Sequence, residues 1–172
     1  EFFFFFILCM TFSVFCERLY GKKIQEGTLR VMSFNIRLGV ANDGENRWDL
    51  RKDLVVKTIR GYNPDLLGLQ EVFPMQEEYL RENFTEYFYY GRSRLVDPKD
   101  GEACSIMFRK DRFDAIERST FWLSKTENEP GSKSWESSLP RIANIVRLQD
   151  KQAEGKKLVL INTHFDHRGK VA

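Results

Sequence analysis

The sequence predicts an α/β protein made of two mixed β-sheets packed face to face with helices outside, a four-layer α/β/β/α sandwich whose last part is missing. Three observations predict it. Residues 29–70 read as strand, helix, strand. From residue 103 to residue 163, strand-like segments follow one another with no helical periodicity between them. The 172 residues are 42% hydrophobic and 30% charged, which excludes a disordered, collagen-like or disulfide-dense chain and suffices for one buried core. Lys and Arg (27) nearly balance Asp and Glu (25), so the charge carries no footprint for nucleic acid.

The first strand is expected at residues 29–36, a short β-rich run. Residues 39–46 are rich in Gly, Asn and Asp and read as a loop. Leu50, Leu54, Val55, Thr58 and Ile59 recur at helical spacing, which predicts an amphipathic helix over 48–61, capped by Asp49 or its neighbours and stopped at Gly61 and Asn63-Pro64. The apolar run Leu66-Leu67-Gly68-Leu69 is too short for a helix and reads as a buried strand parallel to the first, joined by a right-handed crossover. Pro74 suits a first helical position, and Met75, Tyr79 and Leu80 predict a second helix ending near Asn83. Residues 103–108, 113–123, 141–148 and 157–163 read as strands of an antiparallel meander.

The two ends carry separate signals. Phe2 to Cys16 is uncharged and holds five consecutive phenylalanines, which reads as a secretory targeting segment or signal anchor rather than a core element. Residues 1–16 are therefore expected to be a signal remnant, 17–27 a linker, and 28–172 the domain, in a secreted monomer. Of Cys9, Cys16 and Cys104, only the last lies outside that segment, so no internal disulfide is expected and Cys104 reads as a buried small hydrophobe. Asn83-Phe84-Thr85 is a glycosylation sequon.

Chemistry is expected at polar residues on the C-terminal tips of buried strands, where open sheets place ligands. Asn35 ends the first strand, and a buried amide there needs partners. Gln70-Glu71 ends the second; a carboxylate at that place needs a donor or a cation, and a hard cation such as Mg2+ suits one carboxylate with waters. Asn162-Thr163-His164-Phe165-Asp166-His167 holds both histidines of the chain, with an Asp able to orient a ring and keep it cationic.

These residues resemble the endonuclease/exonuclease/phosphatase superfamily, the deoxyribonuclease I-like fold. The blocks that carry the resemblance are Ser33-Phe34-Asn35-Ile36, Pro64-Asp65-Leu66-Leu67-Gly68-Leu69-Gln70-Glu71 and Asn162-Thr163-His164. Residues 130–135 with Leu139-Pro140-Arg141 look like a branch of often secreted members. The resemblance implies Mg2+- or Mn2+-dependent phosphoester hydrolysis. Glu71 and Asn35 would form the metal site and His164 would stand at the scissile phosphate. Asp166, His167 and Arg141 would contact the substrate, a guanidinium matching phosphate geometry. The resemblance implies a Gly-Asp-x-Asn motif and a closing Asp-His pair downstream of Asp166-His167, and neither stands there within the 172 residues, so the chain is expected to be cut inside its domain and to be inactive alone. The substrate class stays open, with nucleic acid not favoured by charge and no partner protein implied. Two rival expectations are a non-catalytic secreted binding module on the same scaffold and a zinc hydrolase of metallo-β-lactamase type, read from Asn162-x-His164-x-Asp166-His167.

Overall fold

The structure is a computed structural model that describes residues 3–7 and 28–169. Two four-stranded sheets face each other. The first has the order β2 (Val31–Asn35), β3 (Leu66–Gln70), β5 (Ile106–Arg109), β4 (Tyr87–Tyr90). The second has the order β1 (Phe3–Ile7), β8 (Lys157–Thr163), β7 (Ile142–Asp150), β6 (Phe113–Trp122). Parallel β2–β3 pairing confirms the crossover unit, whose helix α1 spans Trp48–Tyr62. The rest of the first sheet, and β6–β7–β8, is antiparallel.

Every residue of β3 is buried, because both faces of its sheet are covered. Successive side chains alternate between faces. Leu67 and Leu69 join Val55, Val56 and Ile59 of α1 and Leu80 of α2 (Pro74–Asn83) in the outer core. Leu66, with Ile106 and Phe108, meets Val146, Leu148, Leu158 and Leu160 across the inter-sheet layer. Each such aliphatic side chain contributes about 1.5–3 kcal/mol on burial. Both helices cover the first sheet; among the described residues none covers the outer face of the second, so three of the four expected layers are seen.

Several expectations change. Helix α1 begins after Arg47 with no side-chain cap, so neither Asp49 nor a neighbour caps it; it runs through Gly61 and stops, as expected, at Asn63, which is in the left-handed region. Strand β4 was not expected: Tyr-Phe-Tyr-Tyr has no polar alternation to mark it, yet Tyr87 and Tyr89 face the outer core. The Phe-rich run, expected to be no strand, places Phe3–Ile7 beside β8 in parallel register, where a β-prone segment meets a sheet edge with free backbone groups. The rest of the expected targeting segment and all of the linker lie outside the described residues. Cys104 is buried, and burial pushes its thiol up to about 12. The amide nitrogen of Asn83, which a glycan would occupy, donates to the Tyr79 carbonyl at 2.9 Å.

The far end of the sandwich is closed by a buried ion cluster. Arg112 lies 3.1 Å from Asp65, at the start of β3, and 3.0 Å from Asp150, at the end of β7. The opposite end, where β3 and β8 finish, holds the polar residues that the sequence singles out.

Candidate active site

Strand β3 delivers Glu71 through a bulge. Gly68 pairs with Ile106, but Val72 pairs with Ala103, so the chain from Gly68 to Val72 carries one residue more than its partner. Glu71 takes up the difference with φ 61°, a left-handed conformation that costs a non-glycine residue on the order of 1–3 kcal/mol. This strain turns the carboxylate off the sheet. Asn35, at the tip of β2, donates from Nδ2 to Glu71 Oε1 at 2.9 Å, and the Leu38 N–H donates to Oε2 at 2.8 Å. Burial pushes the Glu71 carboxyl up, but those two donors outweigh it, and His164 and Arg37 add to them, so its pKa lies below the ordinary value. Glu71 is therefore a half-buried carboxylate at neutral pH.

The loop after β2 is held in place as firmly as Glu71. Arg51 of α1 donates to the carbonyls of Ile36, Arg37 and Asn46. Gln76 of α2 accepts from the Gly39 and Phe73 N–H groups and donates to the Arg37 carbonyl at 2.9 Å. A Cβ on Gly39 would stand 2.8 Å from Gln76 Cδ, so only glycine lets the loop approach α2 this closely.

A buried amide pair joins the two sheets under the site. Gln70 Nε2 donates to Asn162 Oδ1 at 2.7 Å, and Asn162 Nδ2 donates to the carbonyls of Leu69 at 2.7 Å and Ser105 at 2.8 Å. This contact locks the tip of β8 to the tip of β3. His164 follows two residues later and lies close enough to Glu71 for each to shift the other's titration. Burial, then Arg141, push the His164 pKa below its ordinary value, against the pull of Glu71, so the ring is neutral at pH 7. The expectation that Asp166 keeps it cationic is corrected. The Asp166 side chain is only 1% exposed and accepts from Arg141 at 3.0 Å, Ser138 Oγ at 2.6 Å, and the N–H groups of Arg168 and Gly169. Those donors hold its carboxyl far below the usual range, the Ser138 hydroxyl and the Gly169 N–H most of all. Its oxygens accept from these donors, so Asp166 positions Arg141 and the 166–169 turn. His167 is exposed and has no hydrogen bond among those of the described residues.

His164 and Arg141 line one small cleft together with Arg94, Glu102 and Cys104. Arg94 and Glu102 form an ion pair at 2.9 Å, and burial raises the Glu102 carboxyl against the pull of Arg94. The sequence reading missed both. They come from the irregular stretch between β4 and β5, where no periodicity marks them. The one available signal was Gly101-Glu102, which reads only as a poor match to Gly-Asp.

The donor set fits a hard divalent ion. A charged, half-exposed carboxylate fixed by an amide and a backbone N–H is the kind of single protein ligand that Mg2+ takes alongside waters and a phosphate. Asn35 spends its Nδ2 on Glu71, and its Oδ1 accepts from the Arg37 N–H at 2.9 Å, so both of its polar atoms are engaged in holding the carboxylate and the loop after β2. Among the described residues no three His, Cys, Asp or Glu side chains gather as a zinc site would need, and Asp166 is turned to Arg141.

A family model described as the Endonuclease/Exonuclease/phosphatase family matches residues 32–150. This match overturns the metallo-β-lactamase alternative. Among curated relatives, the CCR4-Not complex 3'-5'-exoribonuclease subunit Ccr4 of Candida albicans is 28% identical over 136 residues, 69% of this chain and 17% of that protein. Among solved structures, an endonuclease/exonuclease/phosphatase from Bacteroides vulgatus superposes with TM-score 0.79 at 35% identity, covering 83% of this chain and 54% of that one. A mannosyl-6-phosphatase of Bacteroides thetaiotaomicron gives TM-score 0.78 at 33% identity, covering 83% and 54%. The chain thus spans about half the length of these solved structures and under a fifth of the Candida relative. With the model matched across most of its length, the chain belongs to the endonuclease/exonuclease/phosphatase family.

Proposed function

We propose that the full-length protein is a secreted phosphoester hydrolase that works with Mg2+ or Mn2+. The observation that carries this reading is the strained bulge that presents Glu71 to Asn35, the Leu38 N–H and His164 at the joined tips of β3 and β8. When bound, the divalent ion would polarise a phosphoryl oxygen and offset its charge. Glu71 would hold the ion, and Asn35 would keep the Glu71 carboxylate aimed. His164, neutral at working pH, would donate its ring N–H to a phosphoryl oxygen as a hydrogen bond rather than as a cation. Arg141, braced by Asp166, would supply fixed positive charge beside it, with no reorganisation during the reaction. Turnover is assigned to the full-length protein, and the 172-residue chain alone is expected to hydrolyse phosphoesters little.

Calorimetric titration of the full-length protein with Mg2+ and Mn2+ tests the reading. Glu71→Gln should weaken metal binding at least tenfold and abolish metal-activated hydrolysis of a phosphoester panel. His164→Ala should cut turnover while leaving metal affinity within twofold. Unchanged binding and unchanged rates in both variants would refute the assignment.

A further inference from the structure

Strand β4 is a sheet edge with one side open. It pairs with β5 alone, Tyr87 opposite Arg109 and Tyr90 opposite Ile106. One step outside that ladder the Lys110 N–H donates to the Glu86 carbonyl at 3.1 Å, and the Arg109 N–H turns the other way, to the Asp65 carbonyl. In an antiparallel ladder, opposed residues alternate between bonding across and facing away. Phe88 and Tyr90 therefore bond to β5, while Tyr87 and Tyr89 turn their backbone groups to the open side. The Tyr87 N–H is taken by the Phe84 carbonyl at 3.0 Å. The Tyr87 carbonyl and both backbone groups of Tyr89 have no partner among the described residues. Open edges invite another chain, and proteins blunt them with bulges, charges or proline. The edge of the second sheet, β6, is blunted in this way, by a bulge between Ala115 and Glu117 and by the charges of Glu117 and Arg118. Tyr-Phe-Tyr-Tyr carries none of these devices.

A cleft opens on each face of the β4 edge. On the inner face, Phe88, Phe108 and Phe113 line a space of about 290 Å3 with Lys110, Asp114 and Arg118. The Phe88 and Phe108 rings stack with centroids 5.0 Å apart, and Arg118 lies over Phe88. On the outer face, Phe84, Tyr87, Tyr89 and Met107 line about 180 Å3 with Arg81 and Lys110. The two linings hold three cations and one carboxylate. Arg81 is paired with Glu77, and Asp114 with Lys151, so Lys110 and Arg118 are left without a carboxylate among the described residues. A strand laid beside β4 sets its residue opposite Phe88 on the inner face and the next, opposite Tyr89, on the outer face. We propose that β4 is a docking edge for an extended acidic segment of a partner protein, with two successive apolar side chains that enter the two clefts. The open Tyr89 groups supply the backbone bonds, the clefts select the apolar side chains, and Lys110 and Arg118 select the flanking Asp or Glu. The same two cations repel a second copy of this edge. Docking here lies outside the cleft of His164 and is independent of the phosphoester reading.

The test titrates a fluorescein-labelled peptide, Glu-Asp-Leu-Phe-Asp-Glu, against the full-length protein by fluorescence anisotropy. Binding should saturate below about 1 mM. It should weaken at least tenfold when both central amides of the peptide are N-methylated, and at least tenfold when its four acids are replaced by lysine. Ala115 is exposed and lines the inner cleft, so Ala115→Trp fills that space from outside the core. This variant and Arg118→Glu should each weaken the peptide at least fivefold with unchanged circular dichroism. In the wild type, saturating peptide should slow hydrogen exchange at the Tyr89 amide at least tenfold and leave the Phe88 amide, already bonded to β5, within twofold. Any one of four results would overturn the proposal: no saturation by about 1 mM, equal binding of the N-methylated or lysine peptide, unchanged affinity in Arg118→Glu, or unchanged exchange at Tyr89. A free protein that sediments as a dimer and dissociates on peptide addition would also overturn it, by making a second copy the natural occupant.

Discussion

Removal of the Asn162 side chain should loosen the whole site end of the sandwich. Asn162 is fully buried and makes three hydrogen bonds of 2.7–2.8 Å, two as donor to carbonyls and one as acceptor from Gln70. In Asn162→Ala, the Ser105 carbonyl keeps the Leu69 N–H as a partner. The Leu69 carbonyl loses the amide, and Gln70 Nε2 is left with longer contacts to Ser33 Oγ at 3.3 Å and the Gly68 carbonyl at 3.5 Å. Two buried polar groups left short, at about 1–3 kcal/mol each, give a loss of roughly 2–6 kcal/mol. That is a large share of the ~5–15 kcal/mol typical of a folded domain. Equilibrium unfolding in urea measures it as a lower midpoint at unchanged slope. A double-mutant cycle with Gln70→Ala should show a coupling of about 1 kcal/mol or more, because the two amides share one bond. A loss below about 0.5 kcal/mol, with additive effects in the pair, would refute the inter-sheet lock.

Three further outcomes follow from named contacts. Arg112→Ala should destabilise the fold by about 3–5 kcal/mol in the same unfolding assay, since it leaves Asp65 and Asp150 buried without their cation. The His164 pKa is lowered in the fold, so below the ordinary value near 6.5 the unfolded chain binds more protons than the native one. Stability should therefore fall as pH drops from about 7 toward 5, and His164→Gln should flatten that slope; an unchanged profile would contradict the burial and Arg141 argument. Cys104, with its thiol pushed up to about 12, should resist a disulfide reagent at pH 8 in a Cys9→Ser/Cys16→Ser background and react on unfolding.

The strand–helix–strand unit was legible because α1 repeats its apolar residues every three to four positions and β3 is a short unbroken apolar run. Strand β4 was not, because four aromatics in succession carry no period, and only the covering of both faces by neighbours tells which ring points where. Asn35, Glu71 and His164 stood out as polar groups at the tips of apolar strands, where burial makes an unpartnered polar group expensive. Arg94 and Glu102 gave no such sign, since they sit in irregular chain between turns.

The sequence by itself determined the parallel β2–α1–β3 unit, the strands of the later meander, and which polar residues stand at strand ends, since these depend on local periodicity and on the cost of burying charge. Tertiary structure alone decided what each polar group is bound to. Asp166 and Arg141 read separately along the chain and are an ion pair in the fold, and Asn35 becomes the clamp on Glu71 once β2 lies beside β3. Hydrogen-bond partners are chosen by geometry within a few ångströms, between residues dozens of positions apart, and no spacing along the chain encodes that choice.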